Sequence, residues 1–431
     1  MNMFVYAVRE IPILLTTFFL LYLLNVAEAI FDYILKAGLL GSLALGIVFR
    51  PEVLNIIPEY VLRTLLVFGY IGLILLVFEA GLSTNLALLY HNIALSMLVG
   101  GTGVLLPIAF SILVLHFGFG YDIQQGFAAG ASLSSTSLGT TLALLKPELR
   151  QTKTGIILLS AALFDDVVGL IIAAIIQTLS CNASAHVSWQ DIVRPILVSV
   201  AFVVITSLSL WALRPLTKRM PNHCKRFVYQ AKVQLFLLAT FIAGFVAGAN
   251  YAGTSELFGA YLAGVLVAHI FHAPPEATGE QLTQSAQNAP TSNSRVSLTL
   301  VSTGAGVYTP HHTFTIFIQS ILEYVLSPIF FASIGSALPI RTLGSVEGSS
   351  NVVSRGFSTP QMSQMRSSIF LGLAMIARGE IALIVSQIAR PILIRVSQEL
   401  YAIVIWAILL DTIIGALGVG VVLRQEAKMS G

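Results

Sequence analysis

The feature that most constrains this chain is a succession of apolar runs, each 18–28 residues long, separated by polar stretches. A transmembrane helix needs about 20 consecutive apolar residues, whereas strands of a membrane β-barrel alternate over about ten residues. The runs therefore predict an all-α, polytopic membrane protein, a bundle of about twelve transmembrane helices. We place the spans near residues 8–31, 33–50, 60–82, 91–117, 122–146, 154–180, 190–213, 230–250, 254–272, 313–340, 366–390 and 397–423.

Composition excludes several classes of protein. The chain is 56% hydrophobic and only 10% charged, whereas soluble domains carry about 25% charged residues. A net charge of +3 provides no basic surface for nucleic acid. The two cysteines, Cys181 and Cys224, flank a single predicted helix and should lie on opposite membrane faces. They predict neither a disulfide framework nor a structural metal site, and no cofactor is expected.

Polar stretches divide the chain into three parts. Residues 1–272 hold predicted helices one to nine, and residues 313–424 hold the C-terminal transmembrane helices. Between them, residues 273–312 are rich in Gln, Ser, Thr, Asn and Pro, a composition that predicts a disordered cytoplasmic loop. A second polar segment, 341–365, stands within the C-terminal part.

Basic residues in two loops predict the orientation. Both loops lie on one face, which the positive-inside rule makes cytoplasmic. With five spans before the first loop, the N-terminus is predicted outside or luminal, in a plasma or organellar membrane. Asn182, in an Asn-Ala-Ser sequon, then faces outward as a glycosylation candidate. The bases are Lys146, Arg150 and Lys153 in one loop, and Arg214, Lys218, Arg219, Lys225, Arg226 and Lys232 in the other.

The first span has an alternative interpretation as a signal peptide, since Ala27-Glu28-Ala29 has the form of a cleavage site. Its preceding segment is poor in positive charge, because Glu10 cancels Arg9. A membrane helix is therefore the favoured prediction.

Two adjacent carboxylates, Asp165 and Asp166, stand in the middle of the sixth span. An ionisable group at this depth is costly, and those that occur commonly line a water path or pair with another charge. Two neighbouring carboxylates in a poor dielectric cannot both stay ionised cheaply. Such a pair can exchange a proton for a metal cation, the requirement of a proton-coupled cation carrier. The alternative is a role in helix packing or assembly.

A run of hydroxyl side chains in the preceding span, at residues 130–141, includes Ser134, Ser135 and Thr136 between two glycines. This composition disfavours a continuous helix and offers hydroxyls and free carbonyl oxygens. Hard cations such as Na⁺, Li⁺ or K⁺ prefer oxygen ligands of this kind. The alternative is that small residues only permit close helix packing.

Other charges stand within predicted spans. Arg378 and Glu380, separated by Gly379, indicate a helix interruption or an internal ion pair, and the alternative is a salt bridge that only holds the bundle together. Glu79 lies near the cytoplasmic end of the third span, where interfacial water is within reach. Asp411 lies deeper, in a segment that echoes the one around Asp165 and suggests an inverted repeat.

These residues resemble the monovalent cation:proton antiporter superfamily, in its bacterial-type sodium/proton or potassium/proton exchanger branch. The resemblance runs over almost the whole chain, and the motifs occur in the family's order. They are AGLLG at 37–41 with Gly46, LLVFEAGL at 75–82, SSTSLG at 134–139, the Asp165-Asp166 pair, GAYLAG at 259–264, PIFFASIG at 328–335 and ARGEIAL at 377–383.

The resemblance implies a sodium/proton-antiporter-like fold, in which two interrupted helices cross beside the carboxylates and a core domain moves against a dimerisation domain. By matching position, Asp166 binds cation or proton in turn, and Asp165 is its partner. Ser135 and Thr136 belong to the first interruption. Arg378 and Glu380 lie at the second. The implied partners are a monovalent cation and protons as substrates, the lipid bilayer and a second copy of the chain.

The chain departs from the family in one region. Family members have a further span, usually with a lysine that pairs with the first aspartate, between PIFFASIG and ARGEIAL. Here residues 341–365 are polar, and no lysine occurs between Lys232 and Lys428. On this pattern the chain is one core helix short, and a transport-incompetent membrane protein derived from the antiporter fold is an alternative function.

A remote alternative is an intramembrane aspartyl protease that uses Asp166 and Asp411 as a dyad. The motifs that accompany such aspartates, Gly-x-Gly-Asp and Pro-Ala-Leu, do not occur in the sequence. We therefore expect a secondary transporter rather than an enzyme.

Overall fold

The structure, a computed structural model, describes residues 11–35, 37–49, 58–84, 93–135, 153–181, 189–219, 227–271, 309–336, 380–395 and 398–429. These residues are almost entirely helical. In chain order the helices are α1 (Ile11–Leu35), α2 (Leu39–Val48), α3 (Glu59–Leu82), α4 (Ile93–Ile112), α5 (Ile123–Ser132), α6 (Lys153–Cys181), α7 (Trp189–Arg219), α8 (Ala231–Ala252), α9 (Glu256–Ile270), α10 (Pro310–Gln319), α11 (Leu322–Ser336), α12 (Glu380–Leu393) and α13 (Gln398–Met429).

The predicted spans agree with these helices, and each of them overlaps at least one helix. In the described part of the chain, seven helices are long and apolar enough to cross a membrane, and the bent pair α10–α11 makes an eighth. The helices α2, α5, α9 and α12 are shorter, with 10 to 15 residues each. The fold is thus a polytopic helical bundle, while the total of twelve spans stays a prediction.

Five helices, α4, α5, α6, α12 and α13, pack together and are called the core group below. Helix α5 packs closely on α4 because its contact face carries Gly126 and Gly130. A methyl group on Gly126 would lie 2.9 Å from the Cα of Ile112, and one on Gly130 would lie 2.5 Å from the Cα of Ile108. Small residues at this spacing let helix backbones approach in a membrane, where lipid competes equally for apolar side chains.

Seven helices, α1, α2, α3, α8, α9, α10 and α11, form a second set, the scaffold group. Two of its interfaces use reciprocal glycines. Gly46 of α2 packs on the carbonyl of Ala332, while Gly335 of α11 packs on the carbonyl of Leu43. Between α3 and α9, Gly81 packs on the Tyr261 carbonyl and Gly264 on the Phe78 carbonyl. Helix α7 packs on both groups, through α6 and α9.

The helix pair α10–α11 bends by 45° between Gln319 and Leu322. Helix α10 begins at Pro310, so the last residues of the predicted loop 273–312 are helical. The reason is local: Thr309 accepts a hydrogen bond from the backbone N–H of His312, and proline is favoured at the first helical position. The rest of that loop, and the polar segment 341–365, lie outside the described residues.

Candidate functional site

Asp165 and Asp166 lie in the middle of α6, the most enclosed of the long apolar helices. Their side chains are only 0% and 3% exposed, respectively. Helix α6 packs against α4, α7 and α12, which enclose it on several sides. Because both side chains are buried, keeping both carboxylates ionised costs too much free energy. A bound cation must offset their charge, or a proton must neutralise one of them.

The helix α5 ends beside this pair, at the start of the hydroxyl-rich run. Its last helical residue is Ser132, and the Ser134 hydroxyl donates to the Ala131 carbonyl at 2.9 Å. Ser135 is wholly buried, and its Oγ has no hydrogen-bond partner among the described residues. The predicted span 122–146 is therefore not one continuous helix, because side-chain hydroxyls compete for the backbone at its centre.

Three helices meet at Gly169, one turn after Asp165. A methyl group at Gly169 would lie 3.2 Å from Ser135 Oγ and 3.3 Å from Ile381 Cγ2. Ser135 follows the C-terminus of α5, and Ile381 belongs to the first turn of α12. The structure thus brings the C-terminal end of α5 and Ile381 of α12 to the same turn of α6.

Helices α5 and α12 run antiparallel, and hydrogen bonds also join their other ends. Arg395, just beyond α12, donates to the Gln124 side chain at 3.0 Å, and the Gln125 side chain donates to the Ile392 carbonyl at 3.4 Å. The pair therefore places the C-terminus of α5 at one turn of α6. The free carbonyls at a helix C-terminus carry partial negative charge.

The other predicted site residues are placed as follows. Asp411 is half-buried on α13, whose main contacts are with α12 and α5. Glu380 opens the described part of α12, and the helix interruption expected beside it stays a prediction. Thr136, Arg378 and Asn182 lie outside the described residues, as does the side chain of Glu380, and their roles stay predictions.

Glu79 lies in the scaffold group, within a set of acidic side chains on different helices. It is half-buried on α3 and interacts electrostatically with Glu323 of α11. Glu323 also interacts with Glu28 of α1, and Glu28 accepts a hydrogen bond from the buried Ser42 at 3.2 Å. Sequence reasoning missed Glu28 and Glu323, although both meet the criterion that selected Glu79, an acid within a long apolar run.

Sequence reasoning also missed an electrostatic interaction between Asp166 and a buried tyrosine. The carboxylate of Asp166 interacts electrostatically with the hydroxyl of Tyr261 in α9. That hydroxyl lies 3.0 Å from the Thr84 hydroxyl, just beyond α3. The available signal was one phenolic side chain inside the otherwise apolar motif at 259–264.

Comparison with known proteins finds sequence similarity over nearly the whole chain. The family model described as "Sodium/hydrogen exchanger, transmembrane" matches residues 14–425. The chain is 26% identical to the probable Na(+)/H(+) antiporter GerT of Bacillus cereus, over 81% of this chain and 84% of that one. It is 25% identical to the Na(+)/H(+)-K(+) antiporter GerN of the same species, over 81% of each chain.

A solved structure shares the fold. The sodium proton antiporter MjNhaP1 of Methanocaldococcus jannaschii superposes with a TM-score of 0.62 at 14% sequence identity. The superposition covers 96% of this chain and 98% of that one. The fold predicted from the motifs is therefore confirmed.

Proposed function

Because the chain belongs to the sodium/hydrogen exchanger family, we propose that it exchanges a monovalent cation, Na⁺, K⁺ or Li⁺, for protons across a membrane. It is an integral membrane transporter of the cation:proton antiporter type, and its relatives are named as antiporters rather than enzymes. The comparisons give no support to the protease alternative or to transport incompetence. The observation that carries the proposal is the buried Asp165-Asp166 pair on α6, with the end of α5 packed one turn away at Gly169.

The cation binds at Asp166, with Asp165 as the second carboxylate. Ser135 supplies a further oxygen, since its buried hydroxyl has no other partner among the described residues. Backbone carbonyls at the end of α5 add partial negative charge toward the same point. Ser134 and Thr136 flank Ser135 and extend this ligand set, and Arg378, Glu380, Glu79 and Asp411 are supporting charges.

Exchange follows from competition for the same carboxylates. A proton or a cation neutralises Asp166, and the loaded core group then crosses against the scaffold group. An empty, ionised pair is costly to move through an apolar environment. The number of protons exchanged per cation is set by how many carboxylate charges each cargo neutralises.

The test is transport by the purified chain in vesicles that contain a pH-sensitive dye. An imposed gradient of Na⁺, K⁺ or Li⁺ should dissipate a proton gradient, and Asp166→Asn should abolish this response because Asn cannot carry the exchanged proton. Asp32→Asn is the matched control, since it makes the same change at an exposed carboxylate of α1. Lack of response to all three cations would refute the proposal, and surviving exchange in Asp166→Asn would refute the role of that residue.

Competition also gives a pH dependence. Protons vacate the shared carboxylates as the pH rises, so the apparent KM for the cation should fall with increasing pH. An apparent KM that is independent of pH would show that cation and proton bind at separate places.

The N-terminus faces the outside or the lumen. Asn182 then lies on the outward side, so expression in a glycosylating host should give a mass increase that Asn182→Gln removes. The working unit is a homodimer, and native mass spectrometry in detergent measures the number of chains in it.

A further inference from the structure

A carboxylate of the scaffold group lies at the turn between α8 and α9, held by side chains from two other helices. The Tyr70 hydroxyl of α3 donates to one oxygen of Glu256 at 2.5 Å, and the Asn250 side chain of α8 donates to the other oxygen. Glu256 itself is the first residue of α9. Hydrogen bonds to both oxygens fix the position of this carboxylate.

The turn lies well below the end of α3. Helices α3 and α9 run parallel, because Tyr70 meets Glu256 and, later in both helices, Gly81 meets Tyr261. Tyr70 lies 11 residues after Glu59, where α3 begins. At 1.5 Å per residue, α3 therefore extends about 16 Å beyond the turn.

Helix α7 extends beyond the turn in the same way. The Ser199 hydroxyl lies 2.9 Å from the hydroxyl of Thr254 in the turn, and further along α7 the ring of Phe202 packs edge-on against Phe245 of α8. Helix α8 ends at the turn, so the first ten residues of α7, from Trp189, extend about 15 Å beyond it. The turn is therefore the floor of a depression between α3 and α7.

The depression ends where the scaffold and core groups meet. Tyr70 is 45% exposed, whereas Leu73 and Val77, one and two turns further along α3, are buried. These two leucine and valine side chains belong to one hydrophobic cluster with Leu257 of α9 and with Leu170 of α6, one turn beyond the carboxylate pair. Apolar side chains from both groups thus separate the depression from the carboxylates of the core group.

We propose that Glu256 is an entry site, which binds the monovalent cation transiently before it reaches the Asp165-Asp166 pair. The inference rests on the proposed exchange of cation for proton. The side chains of Glu256, Tyr70 and Asn250 supply oxygen atoms, which hard cations prefer. A negative charge at the floor of a cleft also raises the local concentration of cations. By the orientation predicted from the basic loops, the depression opens to the outer or luminal side.

The experiment measures KM for the cation from each face separately, in right-side-out and inside-out membrane vesicles that contain full-length variants. Glu256→Gln keeps the shape of the side chain and removes its charge. It should raise KM about fivefold from the face of the α8–α9 turn and less than about twofold from the other face, because the charge attracts cations on one side only. The maximal rate should stay within about twofold of the wild type, since the cargo carboxylates are unchanged. A clamp that only stabilised the fold would not change KM from one face alone.

Glu399→Gln is the matched control, because Glu399 is an exposed acid at the start of α13. It lies at the same face, since α12 runs parallel to α6 and ends where α6 leads into α7. This variant should leave KM unchanged from both faces. Tyr70→Phe, which removes one oxygen and keeps the carboxylate, should raise KM from the face of the turn about twofold to threefold.

The outcomes separate this inference from the proposed function. If the wild-type chain exchanges no cation, the proposed function fails. If it exchanges cation and Glu256→Gln keeps the wild-type KM, or raises KM equally from both faces, the entry site is overturned. Should Glu256→Gln fail to fold, judged by its unfolding temperature, an unchanged KM in Tyr70→Phe overturns the entry site instead.

Discussion

Ser135 Oγ lies against Gly169, so closely that a methyl group at Gly169 would stand 3.2 Å from it. The contact places the end of α5 one turn from Asp165. A side chain at residue 169 would press on two neighbours, because Ile381 of α12 closes the other side of the same space. Gly169 is thus the point at which the two short helices are held on α6.

Gly169→Val should reduce exchange strongly, with Gly169→Ala intermediate, because an added side chain displaces Ser135 and the first turn of α12 from the carboxylates. Overpacking of this kind costs about 1–3 kcal/mol. Initial exchange rates in vesicles measure the effect. Gly101→Ala is the control, since nothing lies within 4 Å of the added methyl group. Wild-type rates in Gly169→Val would contradict the assigned geometry.

Asp165→Asn should leave a slower exchange that no longer responds to an imposed membrane potential. One carboxylate remains, so each monovalent cation replaces one proton and no net charge moves. The rate is measured with and without a potential set by an ion that is not the cargo. A variant whose rate and voltage response match the wild type would show that Asp165 takes no part in charge exchange.

Gly81→Ala should destabilise the protein, because the added methyl group collides with the carbonyl of Tyr261 across the interface of α3 and α9. We expect a loss of about 1–3 kcal/mol, seen as a lower unfolding temperature in detergent. Gly244→Ala in α8 is the matched variant, as its methyl group meets nothing within 4 Å. Equal unfolding temperatures for the two variants would argue against close backbone packing here.

Glu323→Gln should stabilise the protein at alkaline pH by about 2 °C in unfolding temperature. Glu323 interacts electrostatically with both Glu28 and Glu79, so ionisation of all three sets like charges against each other. The wild-type unfolding temperature should therefore fall as the pH rises, and the variant should fall less. Glu399→Gln, on an exposed acid at the start of α13, controls for the loss of one charge. The same pH dependence of the unfolding temperature in wild type and Glu323→Gln would contradict a destabilising interaction of Glu323 with Glu28 and Glu79.

Much of the fold was predictable because a bilayer imposes simple conditions on sequence. Each span must be apolar over its length, and a charge within it stands out against that background. The same contrast selected Asp165 and Asp166, and the serine run before them predicted the end of α5. Glu79 was selected too, but its neighbour Glu323 comes from a helix more than 200 residues away in the chain.

By itself, the sequence determined that the chain crosses a membrane many times, which acids stand at depth, and where one helix must break. These properties depend on the polarity of neighbouring residues and are therefore local. Only the tertiary structure decided that Ser135 and Ile381 meet at Gly169, and that the hydroxyls of Tyr261 and Thr84 lie 3.0 Å apart. Such contacts join residues distant in the chain, and the close packing of glycines against carbonyls on other helices sets them, which no apolar pattern encodes.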